Sequence, residues 1–210
     1  MEQELKRLVT LAVVKRLARE NEYWIPAASS NRHVHISAVD REKLFGAGYT
    51  LKALRPLSQP GQYACEEKLT VAGPKGRIGE VRLLGPERAE TQVEVSLTDT
   101  YRLGIKPYVR MSGELEGTPG CTLIGPVGEI TLSKGVIVAA RHLHISGEEA
   151  EAFGLKNGDV VKARKTGGRE TVFGGIIVRA GDGHSLELHI DTDEANAAGI
   201  SSGDLLELLR

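Results

Sequence analysis

Residues 30–37 read SNRHVHIS, and residues 139–146 read AARHLHIS. The two stretches share the motif Arg-His-x-His-Ile-Ser, and the first histidines of the two copies, His33 and His142, are 109 residues apart. The second histidines have the same separation. A six-residue motif that recurs in this way predicts that the chain is an internal duplication.

Each copy of the motif ends in a serine, Ser37 or Ser146. An acidic residue follows three positions later, Asp40 in the first copy and Glu149 in the second. A serine followed at this spacing by an acidic residue is the pattern of a helix N-cap. We therefore expect a short helix directly after each motif.

A second correspondence lies about fifty residues downstream of each motif. Residues 92–105 align loosely and without gaps on residues 187–200, with an offset of 95 residues. This alignment places Glu94 opposite His189. Each half of the chain therefore offers two histidines and one further residue that can bind a metal.

The motif suits a metal ion because alternate side chains of a strand point to the same face. The two histidines of each copy then lie side by side, and imidazole is a good ligand for zinc. Three protein ligands leave a coordination position open, which is typical of catalytic zinc sites. The sequence predicts two such sites, made by His33, His35 and Glu94 and by His142, His144 and His189. No role is assigned to His184.

The composition favours short strands with tight turns, since aromatic residues make up only 4% of the chain and glycine occurs 25 times. Predicted strands cover residues 31–36, 67–72, 77–84, 91–97, 121–125, 135–141, 159–165, 172–179, 185–190 and 204–209. We expect a mostly β fold with short helices.

Residues 2–20 are predicted to form an amphipathic helix, with Leu5, Leu8, Val9, Ala12 and Val13 on one face. The predicted division of the chain follows from this helix and from the duplication. Residues 1–24 are the N-terminal helix, residues 25–112 a first β-barrel domain, and residues 113–210 a second, and the two barrels can exchange strands.

Charge and hydropathy exclude several classes of protein. The formal net charge is −1, so a global basic field for nucleic acid is absent. The longest apolar runs fall short of the roughly 20 residues that span a bilayer, and we expect no signal peptide at the N-terminus. Cys65 and Cys121 suggest no disulfide framework and are interpreted as inert thiols. We expect a cytoplasmic protein that binds neither nucleic acid nor membrane.

The first half contains four basic residues that could bind an anion, which are Arg55, Lys75, Arg82 and Arg88. Neither a nucleophile elbow nor a cysteine nucleophile motif is present. This pattern favours direct attack by a bound anion, without a covalent enzyme intermediate.

The chain resembles the PduL-type phosphate propanoyltransferases (phosphotransacylases) from about residue 25 to residue 200. The segments that carry the resemblance are SNRHVHIS, PGQYACEE at 60–67, GPKG at 73–76, VRLLGPER at 81–88, TQVEVSLTD at 91–99, RMSGELEGTPG at 110–120, GVIVAARHLHIS at 135–146 and LELHIDTDEANAAG at 186–199.

The resemblance implies two related β-barrel domains, an active site between them and two zinc ions per chain. It assigns the same two ligand triplets as the repeat does. It matches Arg88 to the arginine that binds phosphate during catalysis and places Ser112 near the phosphate. Positions that match contacts to coenzyme A are Ser30, Asn31, Lys75, Arg82 and Asn196.

The implied reaction converts a short acyl-CoA, propanoyl-CoA or acetyl-CoA, and phosphate into acyl phosphate and CoA, reversibly. Phosphate would attack the thioester directly, with assistance from zinc. The implied location is the bacterial cytoplasm, where a microcompartment can enclose the enzyme. In this family a similar leading helix often acts as an encapsulation peptide that docks on shell or cargo proteins. A homodimer is the expected assembly.

An alternative is a bicupin, either a metal-dependent enzyme or a small-ligand binding module. Cupins also combine HxH, Glu and a distant His in duplicated barrels. Glu148 and Gly154 come near the cupin spacing after His144, but Glu148 falls at a predicted helix start.

Overall fold

The computed structural model describes residues 2–209. Residues 1 and 210, the outer limits of the predicted domains, lie outside the described residues. The helices are α1 (Glu2–Arg19), α2 (Ala38–Phe45), α3 (Leu97–Leu103), α4 (Gly147–Phe153) and α5 (Thr192–Ala198). The strands are β1 (Trp24–Ser30), β2 (His33–His35), β3 (Ala53–Pro56), β4 (Tyr63–Gly73), β5 (Gly76–Gly85), β6 (Gln92–Glu94), β7 (Tyr108–Arg110), β8 (Thr122–Ile124), β9 (Glu129–Thr131), β10 (Val136–Ala139), β11 (His142–Ile145), β12 (Val160–Lys165), β13 (Thr171–Ala180), β14 (Glu187–Asp191) and β15 (Leu205–Leu209).

The chain forms two compact units. The first contains the residues up to Ser30, the short segment Ser58–Pro60 and the residues from Ala140 onward. Its strands close into a six-stranded barrel in the order β1-β14-β11-β13-β12-β15. Phe153 and Ile176 are among the fully buried side chains of its core. We call this unit the barrel unit.

The second unit contains Asn31–Leu57 and Gly61–Ala139. It is built on a nine-stranded sheet in the order β7-β10-β6-β2-β5-β4-β8-β9, with β3 paired to β4. Its own core includes Leu83 and Leu123. We call it the sheet unit. The prediction of a mostly β fold with a leading helix and two related β units is confirmed. The domain boundaries at residues 24/25 and 112/113 stay a prediction.

The strand pairings repeat between the units. Strands β2 and β11, which carry the HxH motifs, each have one parallel neighbour, β5 or β13. Each also has one antiparallel neighbour, β6 or β14. The HxH strand of each unit is therefore held centrally in its sheet by hydrogen bonds on both sides.

In each unit, the strand on the far side of the antiparallel neighbour is also equivalent, but it comes from the opposite half of the chain. Strand β1 runs parallel to β14, with Ala28 beside His189, and β10 runs parallel to β6, with Ile137 beside Glu94. Ala28 and Ile137 are 109 residues apart, like the histidines. Each unit thus contains the strand that directly precedes the HxH strand of the other unit.

The predicted caps are present. Ser37 and Ser146 are the N-caps of α2 and α4. Helices α3 and α5, which were not predicted, begin in the same way with Ser96 and Asp191, 95 residues apart. A seven-residue helix has too few turns for hydrophobic periodicity to identify it, so only its cap gives a local signal.

Both of these unpredicted helices end on a left-handed glycine. Gly104 has φ 71° and Gly199 has φ 62°, a conformation that residues with a Cβ rarely adopt. The two glycines are also 95 residues apart, so the duplication extends to the helix ends.

An arginine before each HxH pair supports the same arrangement. Arg32 forms an ion pair with Asp99 at 2.8 Å, and Arg141 pairs with Glu194. In both units the acid is the third residue of the helix that follows the partner strand. The shared arginine of the motif therefore links the HxH strand to that helix.

Helix α1 has the predicted extent, but a different face contacts the barrel. Val14 is only 2% exposed and belongs to the barrel core, and Leu11 is also buried. Leu5 and Val9, from the predicted apolar face, are 62% and 54% exposed. Apolar residues occupy more than one side of this helix, so periodicity alone did not identify the buried side. No helix within residues 2–209 is both long and apolar enough to cross a membrane.

Two candidate metal centres

The barrel unit brings His142, His144 and His189 together, and we call this group the three-histidine centre. Each residue offers one ligand atom, and these atoms all lie within 4.8 Å of one another. The two histidines of the motif project from β11, and His189 stands opposite His142 on β14. The cross-strand register therefore builds the triplet, as the repeat predicted.

The ring contacts of the first two histidines are compatible with a ligand role. His142 donates from Nδ1 to the Ala140 carbonyl oxygen at 2.8 Å, which leaves Nε2 as its acceptor atom. Nδ1 of His144 lies 3.1 Å from Nδ1 of His184. Metal-binding histidines usually donate from the second ring nitrogen to an oxygen, as His142 does, and this fixes the ring.

The third histidine has a carboxylate partner. His189 Nε2 lies 2.7 Å from Glu187 Oε2. The same oxygen accepts a hydrogen bond from Ser58 and a longer one, 3.4 Å, from Gln59. Burial tends to raise the pKa of Glu187, but the hydrogen bonds from His189 and Ser58 outweigh it and the pKa is lowered. Glu187 is therefore held as a carboxylate.

The sheet unit contains the second triplet, His33, His35 and Glu94, which we call the histidine–glutamate centre. The Nε2 atoms of the two histidines are 3.2 Å apart. Glu94 oxygens lie 3.5 Å from His33 Nε2 and 3.8 Å from His35 Nε2. Glu94 stands opposite His33 across β6 and β2, and His33 donates from Nδ1 to the Asn31 carbonyl oxygen. The geometry thus matches that of the three-histidine centre.

Burial keeps the imidazoles of His144 and His35 neutral. It lowers the pKa of His144 to about 2, with the nearby His189 and His142 adding to the effect. It also lowers the pKa of His35 to about 3, assisted by the charge of His33. For His33 burial acts in the same direction, but the Glu94 carboxylate outweighs it and the pKa is raised. Neutral imidazole has the lone pair that a metal requires.

A chain of hydrogen bonds connects the histidine–glutamate centre to Arg88. The side-chain amide nitrogen of Gln92 donates to Glu94 at 2.6 Å and to the Ser112 hydroxyl oxygen at 2.8 Å. Arg88 donates to the same hydroxyl oxygen at 2.8 Å. The charge of Arg88 also contributes to lowering the pKa of His35. Arg88 and Ser112 therefore connect to the proposed ligand Glu94, although Ser112 lies 18 residues away from it in sequence.

The residues matched to coenzyme A contacts are distributed over both units. Ser30 ends β1 and Asn196 is exposed on α5, both in the barrel unit. In the sheet unit, Arg82 lies beside His33 in register and donates to the Cys65 carbonyl oxygen.

Three further predicted residues belong to the sheet unit. The side chain of Asn31 accepts a hydrogen bond from the Arg32 amide. Lys75 is exposed in the turn between β4 and β5, where its amide donates to the Leu103 carbonyl oxygen. Arg55 is exposed on β3. The roles of these residues toward coenzyme A or phosphate stay predictions.

Sequence reasoning missed Gln92, Glu187 and His184. The first two could have been found, because they occupy equivalent positions in the 95-residue alignment, two residues before each third ligand. His184 has no such signal, since its counterpart at this offset is Ala89.

The donor sets of both centres fit zinc. Two or three imidazoles with at most one carboxylate are typical of catalytic zinc, and Mg²⁺ or Ca²⁺ would require more oxygen ligands. Five of the six proposed ligands are under 9% exposed, the exception being the half-buried His189. Neither buried cysteine belongs to either cluster.

Comparison with known proteins gives one family. The family model described as phosphate propanoyltransferase matches residues 26–201. A phosphate propanoyltransferase of Thermotoga maritima is 52% identical over 75% of this chain and 76% of its own length. One from Citrobacter rodentium is 50% identical over 87% of each chain, and one from Clostridioides difficile is 46% identical over 87% of this chain and 86% of its own.

Proposed function

This chain belongs to the phosphate propanoyltransferase family, and from that premise we propose that it is a zinc-dependent phosphate acyltransferase. Acyl-CoA and phosphate would give acyl phosphate and coenzyme A, reversibly. Propanoyl-CoA and acetyl-CoA are both proposed substrates, because one methylene changes binding by only about 1–3 kcal/mol even in a fitted pocket.

The observation that carries the proposal is the connection between Arg88 and the histidine–glutamate centre. Arg88 reaches Glu94 through two side chains, Ser112 and Gln92. A phosphate held by Arg88 would therefore be close to a bound metal. An anion-binding group beside an open metal site is what transfer of an acyl group to phosphate requires.

His33, His35 and Glu94 would hold one zinc ion, and His142, His144 and His189 the other. Bound zinc would supply a Lewis acid that polarises the thioester carbonyl and a soft partner for the departing thiolate. The protein's own residues supply the remaining functions.

Arg88 would bind phosphate through its fork of N–H donors and orient it for attack on the carbonyl carbon. Phosphate is already an anion near neutral pH, so positioning matters more than a general base. The reaction breaks the C–S bond and forms a C–O bond, and coenzyme A leaves as thiolate.

Ser112 would be a second phosphate contact. Its oxygen accepts hydrogen bonds from both Arg88 and Gln92, so its own proton can be donated to a phosphate oxygen. Gln92 is 1% exposed. Its side-chain oxygen, Oε1, accepts a hydrogen bond from the backbone N–H of Gly113 at 2.8 Å. Gln92 therefore fixes the loop that carries Ser112.

Further expectations complete the proposal. Ser30, Asn31, Lys75, Arg82 and Asn196 are proposed to contact coenzyme A. The exposed side of α1 is proposed as the encapsulation surface for microcompartment shell or cargo proteins, in the bacterial cytoplasm. The proposed assembly is a homodimer.

The bicupin alternative loses the support of the residue spacing after His144. Glu148, which would have continued the cupin motif, lies on α4 and forms an ion pair with Arg7 at 2.8 Å. It is exposed and takes no part in the three-histidine centre.

The test follows thiol release from propanoyl-CoA and acetyl-CoA, with and without phosphate, on protein of measured metal content. The expected result is phosphate-dependent release that is lost on chelation and restored by zinc. Phosphate-independent release would indicate a thioesterase, and no release from zinc-loaded protein would refute the proposal.

A further inference from the structure

In both centres, the residue two positions before the third proposed ligand occupies an equivalent place in the repeat. Its side chain differs between the two centres. Gln92 lies two residues before Glu94, and Glu187 lies two residues before His189. Gln92 and Glu187 are 95 residues apart, and so are Glu94 and His189. Side chains two apart on a strand share a face. Each of these residues contacts the ligand that follows it, at 2.6 Å for Gln92 and 2.7 Å for Glu187.

The chemistry of each neighbour matches the ligand that it contacts. An amide N–H of Gln92 donates to the Glu94 carboxylate. The carboxylate of Glu187 accepts from the His189 imidazole. A carboxylate in place of Gln92 would repel Glu94, and an alanine in place of Glu187 would leave the ring N–H without this acceptor. The neighbour and its ligand therefore form matched pairs.

A ring that donates from Nε2 presents Nδ1 as its acceptor atom. His142 has the opposite arrangement, because its Nδ1 donates to Ala140 and its Nε2 is the acceptor. The orientation of His189 thus depends on the carboxylate that it contacts. Such a carboxylate also makes the imidazole a stronger ligand.

Glu187 is itself held in place. Ser58 donates to it, and so does Gln59, which is 2% exposed. Gln59 also bonds Ser185 twice, donating to its carbonyl oxygen at 3.1 Å and accepting from its amide at 3.2 Å. A short segment between β3 and β4 therefore fixes the Glu187 side chain at the start of β14.

We propose that Glu187 is a positioning residue of the three-histidine centre, which fixes the tautomer and the orientation of His189 for metal binding. The inference rests on the proposed metal centres and adds a residue that acts through a ligand. Gln92 has a different role, because it donates to a carboxylate, Glu94, and has no imidazole tautomer to fix.

The experiment measures zinc affinity of the three-histidine centre alone, in a His35→Ala background that disables the other centre. Zinc is titrated against a chromophoric chelator, and the absorption spectrum of the cobalt-loaded protein reports ligand geometry. Glu187→Ala should weaken zinc binding by about 10–100-fold and change the cobalt spectrum. Glu187→Gln should recover most of the affinity, because its carbonyl oxygen can still accept from His189. The matched control is Glu151→Gln, an exposed carboxylate on α4 of the same unit.

Unchanged affinity and spectrum in Glu187→Ala would overturn the proposal. Equal losses in Glu187→Gln and Glu187→Ala would also overturn it and would favour direct ligation of the ion by Glu187. Should the alanine variant fold poorly, Ser58→Ala gives an independent test. It should weaken zinc binding less than Glu187→Ala does, and unchanged zinc affinity in Ser58→Ala would contradict the proposal. Zinc affinity does not depend on turnover, so failure of the acyl transfer proposal would be recognised separately in the thiol-release assay.

Discussion

His142 and His189 are direct cross-strand partners on β11 and β14, and their ring centroids are 5.0 Å apart. His33 and Glu94 hold the same relationship on β2 and β6. Two residues that face each other on antiparallel strands have their Cβ atoms about 5 Å apart. The third proposed ligand of each centre is therefore placed by the register of one strand pair.

Replacement of His189 by alanine should remove one of the two proposed zinc ions and spare the other. The other triplet lies in a different unit with its own ligands. We expect the zinc content to fall from two to one per chain and turnover to fall at least about a hundredfold. Elemental analysis and the thiol-release assay check this, with circular dichroism to verify folding. Retention of both ions would contradict the assignment.

Arg88→Lys should weaken the use of phosphate. Lysine keeps the charge but lacks the planar fork of donors, so the KM for phosphate should rise about tenfold or more. The KM for acyl-CoA should change much less. Arg77→Lys, an exposed position on β5, is the control. Equal phosphate kinetics in wild type and Arg88→Lys would exclude this role for Arg88.

The two cysteines should not react in the folded protein. Burial raises the pKa of Cys65 to about 11, with the charge of Glu67 adding to it, and burial raises that of Cys121 to about 12. Both pKa values lie above pH 8, so the reactive thiolate is scarce there. A colorimetric disulfide reagent at pH 8 should detect neither thiol until denaturant is added, and then both. Rapid labelling of the native protein would contradict this.

Substitutions on α1 should separate docking from folding. Val14→Asp places a charge in the barrel core and should lower the free energy of unfolding by about 3 kcal/mol or more. Leu5→Glu and Val9→Glu change exposed positions and should alter it by less than about 0.5 kcal/mol. Denaturant titration measures these changes. If the exposed face docks on a shell or cargo protein, the two glutamate variants lose encapsulation and keep their kinetics.

Arg141→Ala should destabilise the barrel unit modestly. Arg141 pairs with Glu194 and also donates to the Gly174 carbonyl oxygen at 2.7 Å. Both charged side chains are partly exposed, so solvent screening weakens the ion pair. We therefore expect the free energy of unfolding to fall by about 1 kcal/mol. Chemical denaturation of Arg141→Ala and of the exposed control Arg169→Ala provides the comparison. Equal stability of the two variants would show that the ion pair contributes nothing measurable.

Much of the local structure could be predicted from the sequence. Serine caps predicted α2 and α4, and alternation with flanking turns predicted most of the longer strands. Strand β1 was missed because WIPAASS contains a proline and small residues with weak strand preference. Its pairing with β14 and β15 makes it a strand, and those partners lie more than 150 residues away in sequence.

The sequence by itself identified the two candidate ligand triplets. Repeated spacings of 109 and 95 residues identify equivalent positions, and strand alternation puts the histidines of each motif on one face. Only the tertiary structure decided what surrounds the ligands. Glu187, Ser58 and Gln59 meet because the short segment between β3 and β4 packs against the start of β14. Such contacts depend on where distant segments pack, and periodicity describes only neighbours along the chain.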